Sequence, residues 1–194
     1  MLFLARCPGC GVVHSGWCDG CWTVLSNAPV VHRSGIVVSH EYTGVMRELI
    51  VAMKYASARW VVPMLADVWV MRHAQVCEAD VVTWVPTTPR RMRERGYDQS
   101  ELIARRVARR LRVPCVGLLR RLDDHAQTGR TASERRTGAR FVARRSRYER
   151  VLVIDDVVTT GATLQHSLDA LRASTARTVT CAAIAATPAP EVRR

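Results

Sequence analysis

Two stretches of this chain, "DVVTWVP" (Asp80 to Pro86) and "VLVI" (Val151 to Ile154), are apolar in succession instead of alternating between apolar and polar. Each is followed, after a short interruption, by apolar residues at helical spacing: Ile103, Val107 and Leu111 after the first, Leu164, Leu168 and Leu171 after the second. A strand that is apolar on both faces must be covered on both faces, and a parallel sheet whose strands are joined by helices achieves this. The rest of the chain fits the pattern. "GIVVSHEYTG" is β-branched and bounded by glycines, so it reads as a strand. Val45, Leu49 and Met53, with Met46 and Ile50 alongside, then make a helical stripe, and a second helix is expected over Trp60 to His73. "ARTVTCAAIAA" closes as another buried strand. The expectation is an α/β fold with a parallel sheet and helices on both faces. At 194 residues the chain holds one such domain with room for a small appendage.

Composition excludes several classes. With 48% hydrophobic and 24% charged residues the chain reads as a soluble globular protein. Its longest apolar stretch, Trp60 to Met71, contains Pro63 and Asp67 and falls short of the roughly 20 residues of a membrane-spanning helix, so no span is expected. The start, "MLFLARCPGC", lacks a basic leader and a small-residue cleavage site, which makes the cytoplasm the expected compartment. Basic residues number 29 against 17 acidic, a net charge of +12, and Lys54 is the sole lysine. Such an excess favours phosphorylated ligands or nucleic acid without choosing between them.

The second strand runs straight into Asp155 and Asp156, then Thr159-Thr160-Gly161-Ala162-Thr163 and a helix. In an open α/β sheet ligands bind beyond the carboxyl ends of the strands, where both aspartates fall if the strand ends at Ile154. Free N–H groups and the positive end of a helix dipole at the following turn make an anion site; Gly161 permits close backbone approach and the threonine hydroxyls add donors. Carboxylates beside a phosphate need another task, and hydroxyl donors or a divalent cation supply one. A sugar phosphate carries the hydroxyls. The alternative is a solvated turn and a threonine helix cap.

This run of four apolar residues, two acids, a variable pair and Thr-Thr-Gly-x-Thr resembles the phosphoribosyl-pyrophosphate (PRPP) binding motif of the type I phosphoribosyltransferases. The resemblance implies that Asp155 and Asp156 hold the ribose hydroxyls at the reacting sugar. It also implies that Val158, Thr159, Thr160, Gly161, Ala162 and Thr163 wrap the 5-phosphate, with Mg²⁺ accompanying PRPP.

"CPGCGVVHSGWCDGC" places Cys7, Cys10, Cys18 and Cys21 as two C-x₂-C pairs seven residues apart. Two such knuckles close a tetrahedral thiolate site, and four soft ligands with no vacant position suit a structural Zn²⁺. His14 replacing one cysteine, and a redox dithiol, are the rival readings. Cys77, Cys115 and Cys181 sit in apolar surroundings as packing residues. Asn, Pro, Ser and Gly punctuate "SNAPVVHRSG", so a boundary is expected near Asn27 to Gly35. This separates a module over residues 1–26 from a domain over 35–194, in which the arginine-rich, aperiodic segment 120–150 reads as a flap.

After "VVTWVP", the segment Arg93, Arg95, Gly96, Tyr97, Asp98, Gln99, then Leu102 and Ala104, is similar to the Arg-x-Arg-Gly-Phe-Asn-Gln segment of the ComF family. That family joins a four-cysteine zinc module to a PRPP-motif domain, in the order found here. Tyr42, Gly44, Leu49, Ile50, Lys54 and Tyr55 stand where it keeps a Tyr-x-Gly, an apolar stripe and a Lys-Tyr pair. Arg93 and Arg95 would grip a diphosphate through planar multi-donor bonds, or form a solvated basic loop; Lys54 reads first as a helix-surface charge. The chain departs from the family at Tyr97 and Asp98, and in the flap. There Gln127-Thr128 is followed by "GRTASERRTGARF" without an asparagine, so acceptor contacts through Gln127, Arg135 or Phe141 do not carry over directly. The resemblance implies a phosphoribosyltransferase of the pentosyl class, acting on an unknown acceptor and linked to DNA uptake or nucleotide metabolism. The competing expectation is a non-catalytic, single-stranded DNA-binding or competence accessory protein that uses the PRPP site as a sensor. In that case Trp17 and Trp22 would stack bases instead of packing the metal module.

Overall fold

A computed structural model describes residues 6–33, 35–56, 58–122, 139–174 and 176–188. Helix α1 (Asp19–Ser26) follows the cysteine pairs. A three-residue strand β1 (Val31–Arg33) pairs antiparallel with β2 (Ile36–Glu41), and α2 (Gly44–Tyr55) and α3 (Val62–His73) follow. Next come β3 (Val81–Trp84), α4 (Pro89–Arg95) and α5 (Gln99–Leu111). An antiparallel pair of strands, β4 (Leu119–Leu122) and β5 (Arg140–Ala143), stands apart from the main sheet. The described chain closes with β6 (Arg150–Val158), α6 (Ala162–Arg172) and β7 (Thr178–Ala186).

The main sheet has the order β1-β2-β7-β6-β3, and β2, β7, β6 and β3 are mutually parallel. The α/β architecture expected from the continuous apolar strands is present. Along β6, Leu152 and Ile154 belong to one core with Leu49, Ile50 and Met53 of α2, Leu65 and Trp69 of α3, and Ile103 and Val107 of α5. Val151 and Val153 belong to the other, with Leu164 and Leu171 of α6 and Leu118 and Leu119 beside β4. Burying both sides of one strand in two separate cores is why its sequence does not alternate. Leu25 of α1 lies in the first core at 2% exposure, so the cysteine-bearing segment is pinned onto α2 and α3. Among the described residues no helix is long and apolar enough to cross a membrane.

Four local readings change. Strand β6 continues through both aspartates to Val158, because the ladder to β7 persists from Arg150 to Val158. The acids therefore sit in the last part of the strand, not beyond it. The segment after β3, expected as a loop, contains α4: Thr88 caps it by accepting from the Arg91 N–H at 3.2 Å, Pro89 starts it and Gly96, at φ 74°, ends it. The connector near Asn27 to Gly35 contributes β1. Part of the 120–150 segment is ordered as β4 and β5, whereas residues 123–138, which include Gln127, Thr128 and Arg135, lie outside the described residues. At the edge of β3, Val82 bonds to both neighbours of Cys115: its N–H donates to the Pro114 carbonyl at 2.9 Å and its carbonyl accepts from Val116 at 3.0 Å.

Candidate active site and metal centre

Because the four central strands are parallel, their carboxyl ends share one edge, and a cavity of about 350 Å³ opens there. The extension of β3 supplies Val85, Pro86 and Thr87. The end of β6 supplies Asp155, Asp156, Val157 and Thr159, the start of α6 Thr163, and the end of β7 Thr187. Tyr42, Lys54, Gln99, Ser100, Arg91 and Arg121 complete the lining.

The two aspartates are given unlike partners. Asp155 Oδ1 accepts from the Ser100 hydroxyl at 3.0 Å and from the Asp156 N–H at 2.9 Å. Burial pushes its carboxyl up to about 7, and the adjacent Asp156 charge adds to the rise; the Asp156 N–H, the Ser100 hydroxyl and the Lys54 ammonium pull against it. Its opening onto the cavity lets water temper the burial effect without reversing the direction. Asp156 Oδ2 lies 3.0 Å from Lys54 Nζ, with side chains only 6% and 15% exposed, so this pair is largely withdrawn from water. Asp156 Oδ1 accepts from the Val157 N–H at 2.6 Å.

The threonine turn is divided between elements. Val158 is 4% exposed and finishes β6, its carbonyl accepting from the Thr187 N–H at 2.9 Å. Thr159 and Thr160 form the exposed turn, and Gly161, at φ 84°, is the N-cap of α6, which begins at Ala162. A Cβ on Gly161 would stand 3.4 Å from Ile36 Cδ1 in a left-handed backbone. Gly161→Ala is therefore expected to lower stability by about 1–2 kcal/mol in denaturant unfolding. A loss below about 0.3 kcal/mol would contradict this backbone requirement.

The arginines are arranged differently from the expectation. Arg93 is exposed on α4, and Arg95 donates to Gln99 Oε1 at 2.9 Å and lies 5.3 Å from the centre of the Tyr55 ring; neither lines the cavity. Arg91, one helical position away, and Arg121, on β4 beside Phe141, do line it. Helix periodicity could have singled out Arg91 had α4 been recognised; Arg121 is brought in by a strand pair with no sequence period. Lys54, read first as a surface charge, is the cation on Asp156. Ser100 had no signal of its own. The two family departures are both in use: the Tyr97 hydroxyl donates to the Met53 carbonyl on α2, and Asp98 caps α5.

At the other end of the chain the Sγ atoms of Cys7, Cys10, Cys18 and Cys21 all lie within 4.8 Å of one another. Cys7 and Cys21 are 3.6 Å apart, and Cys10 and Cys18 3.5 Å. A metal–sulfur bond of about 2.3 Å in a tetrahedron requires sulfurs about 3.8 Å apart, so the set fits one ion at its centre. Burial opposes ionisation of Cys7, yet the N–H groups of Cys18, Gly9 and Cys10 outweigh it and hold the thiol down to about 6. A knuckle that favours a thiolate is a knuckle suited to a metal. Trp17 and Trp22 meet edge to face with centroids 4.9 Å apart against the first core.

The phosphoribosyl transferase domain family matches residues 98–194, half of the chain, and the chain belongs to that family. It is similar, at 27% identity over 180 residues, to Competence protein F of Haemophilus influenzae, covering 86% of this chain and 78% of that protein. Among solved structures it is similar to the glutamine PRPP amidotransferase from B. subtilis complexed with ADP and GMP. That match has 26% identity and a TM-score of 0.44 over 65% of this chain; the chain spans 25% of that protein. The orotate phosphoribosyltransferase from Aeropyrum pernix matches at 21% identity and a TM-score of 0.39, over 71% of this chain and 62% of that one.

Proposed function

We propose that the cavity at the end of β6 binds PRPP and that the protein transfers its phosphoribosyl group to an acceptor nucleophile. The observation that carries this reading is the joining, within one cavity, of the Asp155–Asp156 pair with Thr159 and Thr163 at the start of α6. The carboxylates accept hydrogen bonds from the ribose hydroxyls, and the N–H groups and hydroxyls of the Thr159–Thr163 turn receive the 5-phosphate. Arg91 and Arg121 are the cavity arginines available to the diphosphate, in place of Arg93 and Arg95. Lys54 is a further cation within its reach. As the bond from C1 to the diphosphate oxygen breaks, the diphosphate leaves with the electron pair and positive charge develops on the sugar, before the acceptor donates its own pair to C1. Oxygen donors of this kind suit Mg²⁺, with Asp155 and Asp156 the carboxylates placed to hold it, and the ion would neutralise charge on the departing diphosphate. The four-cysteine set is a structural zinc site, and residues 1–26 are the module it organises.

Calorimetry with PRPP and Mg²⁺ tests the pocket. Asp155→Ala/Asp156→Ala is expected to weaken binding by about 100-fold or more, the loss of two charge-assisted hydrogen bonds. Unchanged affinity in the double variant refutes the assignment. Pyrophosphate release across a panel of nucleobases then reports whether turnover accompanies binding.

A further inference from the structure

Asp98 is 4% exposed and serves three backbone donors at once. Its Oδ1 accepts from the N–H groups of Ser100 at 3.0 Å and Glu101 at 3.3 Å, capping α5, and its Oδ2 accepts from the Thr87 N–H at 2.8 Å. Thr87 and Ser100 stand on different walls of the cavity, so one carboxylate fastens the β3–α4 connection to the start of α5. Asparagine, with a single carbonyl oxygen, keeps the cap but turns an amide N–H₂ toward the Thr87 N–H; both tasks together require a carboxylate. Burial raises the Asp98 carboxyl while the three N–H donors oppose the rise.

The cap fixes the first turn of α5, where Ser100, 1% exposed, gives its hydroxyl to Asp155 Oδ1. The Asp156 N–H falls on the same oxygen. We propose that Ser100, held in place by Asp98, is a positioning residue for Asp155 that occupies Oδ1 and presents Oδ2 to the hydroxyls of the ligand. The inference rests on the ribose-phosphate reading of the cavity. The other charged groups around Asp155 are Asp156 on β6, Lys54 on α2, Arg91 on α4 and Arg121 on β4. All remain in the variants below, so a change on removing the hydroxyl belongs to the hydroxyl.

The test is a carboxyl-carbon NMR titration of Asp155 in the full chain, without ligand, alongside PRPP calorimetry in Mg²⁺. A hydrogen bond to the charged form favours that form, so Ser100→Ala is expected to raise the Asp155 midpoint by about one unit, and Ser100→Thr to restore it. Asp98→Asn, which releases Thr87, is expected to move the midpoint in the same direction as Ser100→Ala. PRPP affinity at neutral pH is expected to fall about 3- to 10-fold in Ser100→Ala and to recover in Ser100→Thr. A Ser100→Ala midpoint equal to that of the unmodified chain overturns the proposal, and a wild-type midpoint in Asp98→Asn overturns the part given to Asp98. Failure of the unmodified chain to bind PRPP sinks the ribose-phosphate reading instead, because the ligand-free titration decides the Ser100–Asp155 contact independently.

Discussion

Lys54→Met is expected to destabilise the protein by about 3–5 kcal/mol, the cost of leaving a buried charge without its partner. Asp156 is 6% exposed and its Oδ2 faces Lys54 Nζ at 3.0 Å, so removing the ammonium strands a carboxylate that water reaches poorly. Methionine keeps most of the aliphatic stem, which separates the lost charge from lost packing. The double variant Lys54→Met/Asp156→Asn is expected to regain most of the loss, since both charges leave together. Denaturant unfolding of the two single variants and the double closes the cycle. A coupling energy below about 0.5 kcal/mol would show that the pair is incidental to stability.

Cys21→Ser and Cys18→Ser are each expected to abolish a stoichiometric zinc that the unmodified chain carries, as measured by elemental analysis after exhaustive dialysis. Each removes one of four thiolates from a closed tetrahedron, and structural zinc contributes folding free energy of about 10–16 kcal/mol in isolated modules. Because Leu25 sits in the core shared with α2 and α3, the consequence extends beyond the module: the melting temperature of the whole chain should fall. A chelator is expected to do the same to the unmodified protein. Full zinc content in both variants would refute the ligand set.

How much of this was legible beforehand depends on where the determinants lie. The continuous apolar runs at Val151–Ile154 and Asp80–Pro86 gave the parallel sheet, because burial on both faces leaves its mark on every residue of a strand. The cysteine quartet was equally plain, since metal ligands announce themselves by type and spacing. The end of β6 was not: Asp155 and Asp156 have low strand propensity, and only pairing with β7 carries the ladder through them to Val158. Arg91 and Arg121 were missed for a related reason. One lies on a seven-residue helix too short to show a period, and the other enters through β4, whose partner strand is far away in sequence. Ser100 owes its place to a cap and a neighbouring strand, neither of which a hydroxyl in isolation reveals.

The two margins of the main sheet have a bearing on how this chain behaves when crowded. On one side the outermost strand, β1, is three residues long and runs against its neighbour; on the other, β3 is partly occupied by its bonds to Pro114 and Val116. Neither border offers a long row of unused amides onto which an identical molecule could add itself. Runaway ribbon growth from the folded state thus has no ready starting point, even though the interior strands are as apolar as those of sequences that polymerise.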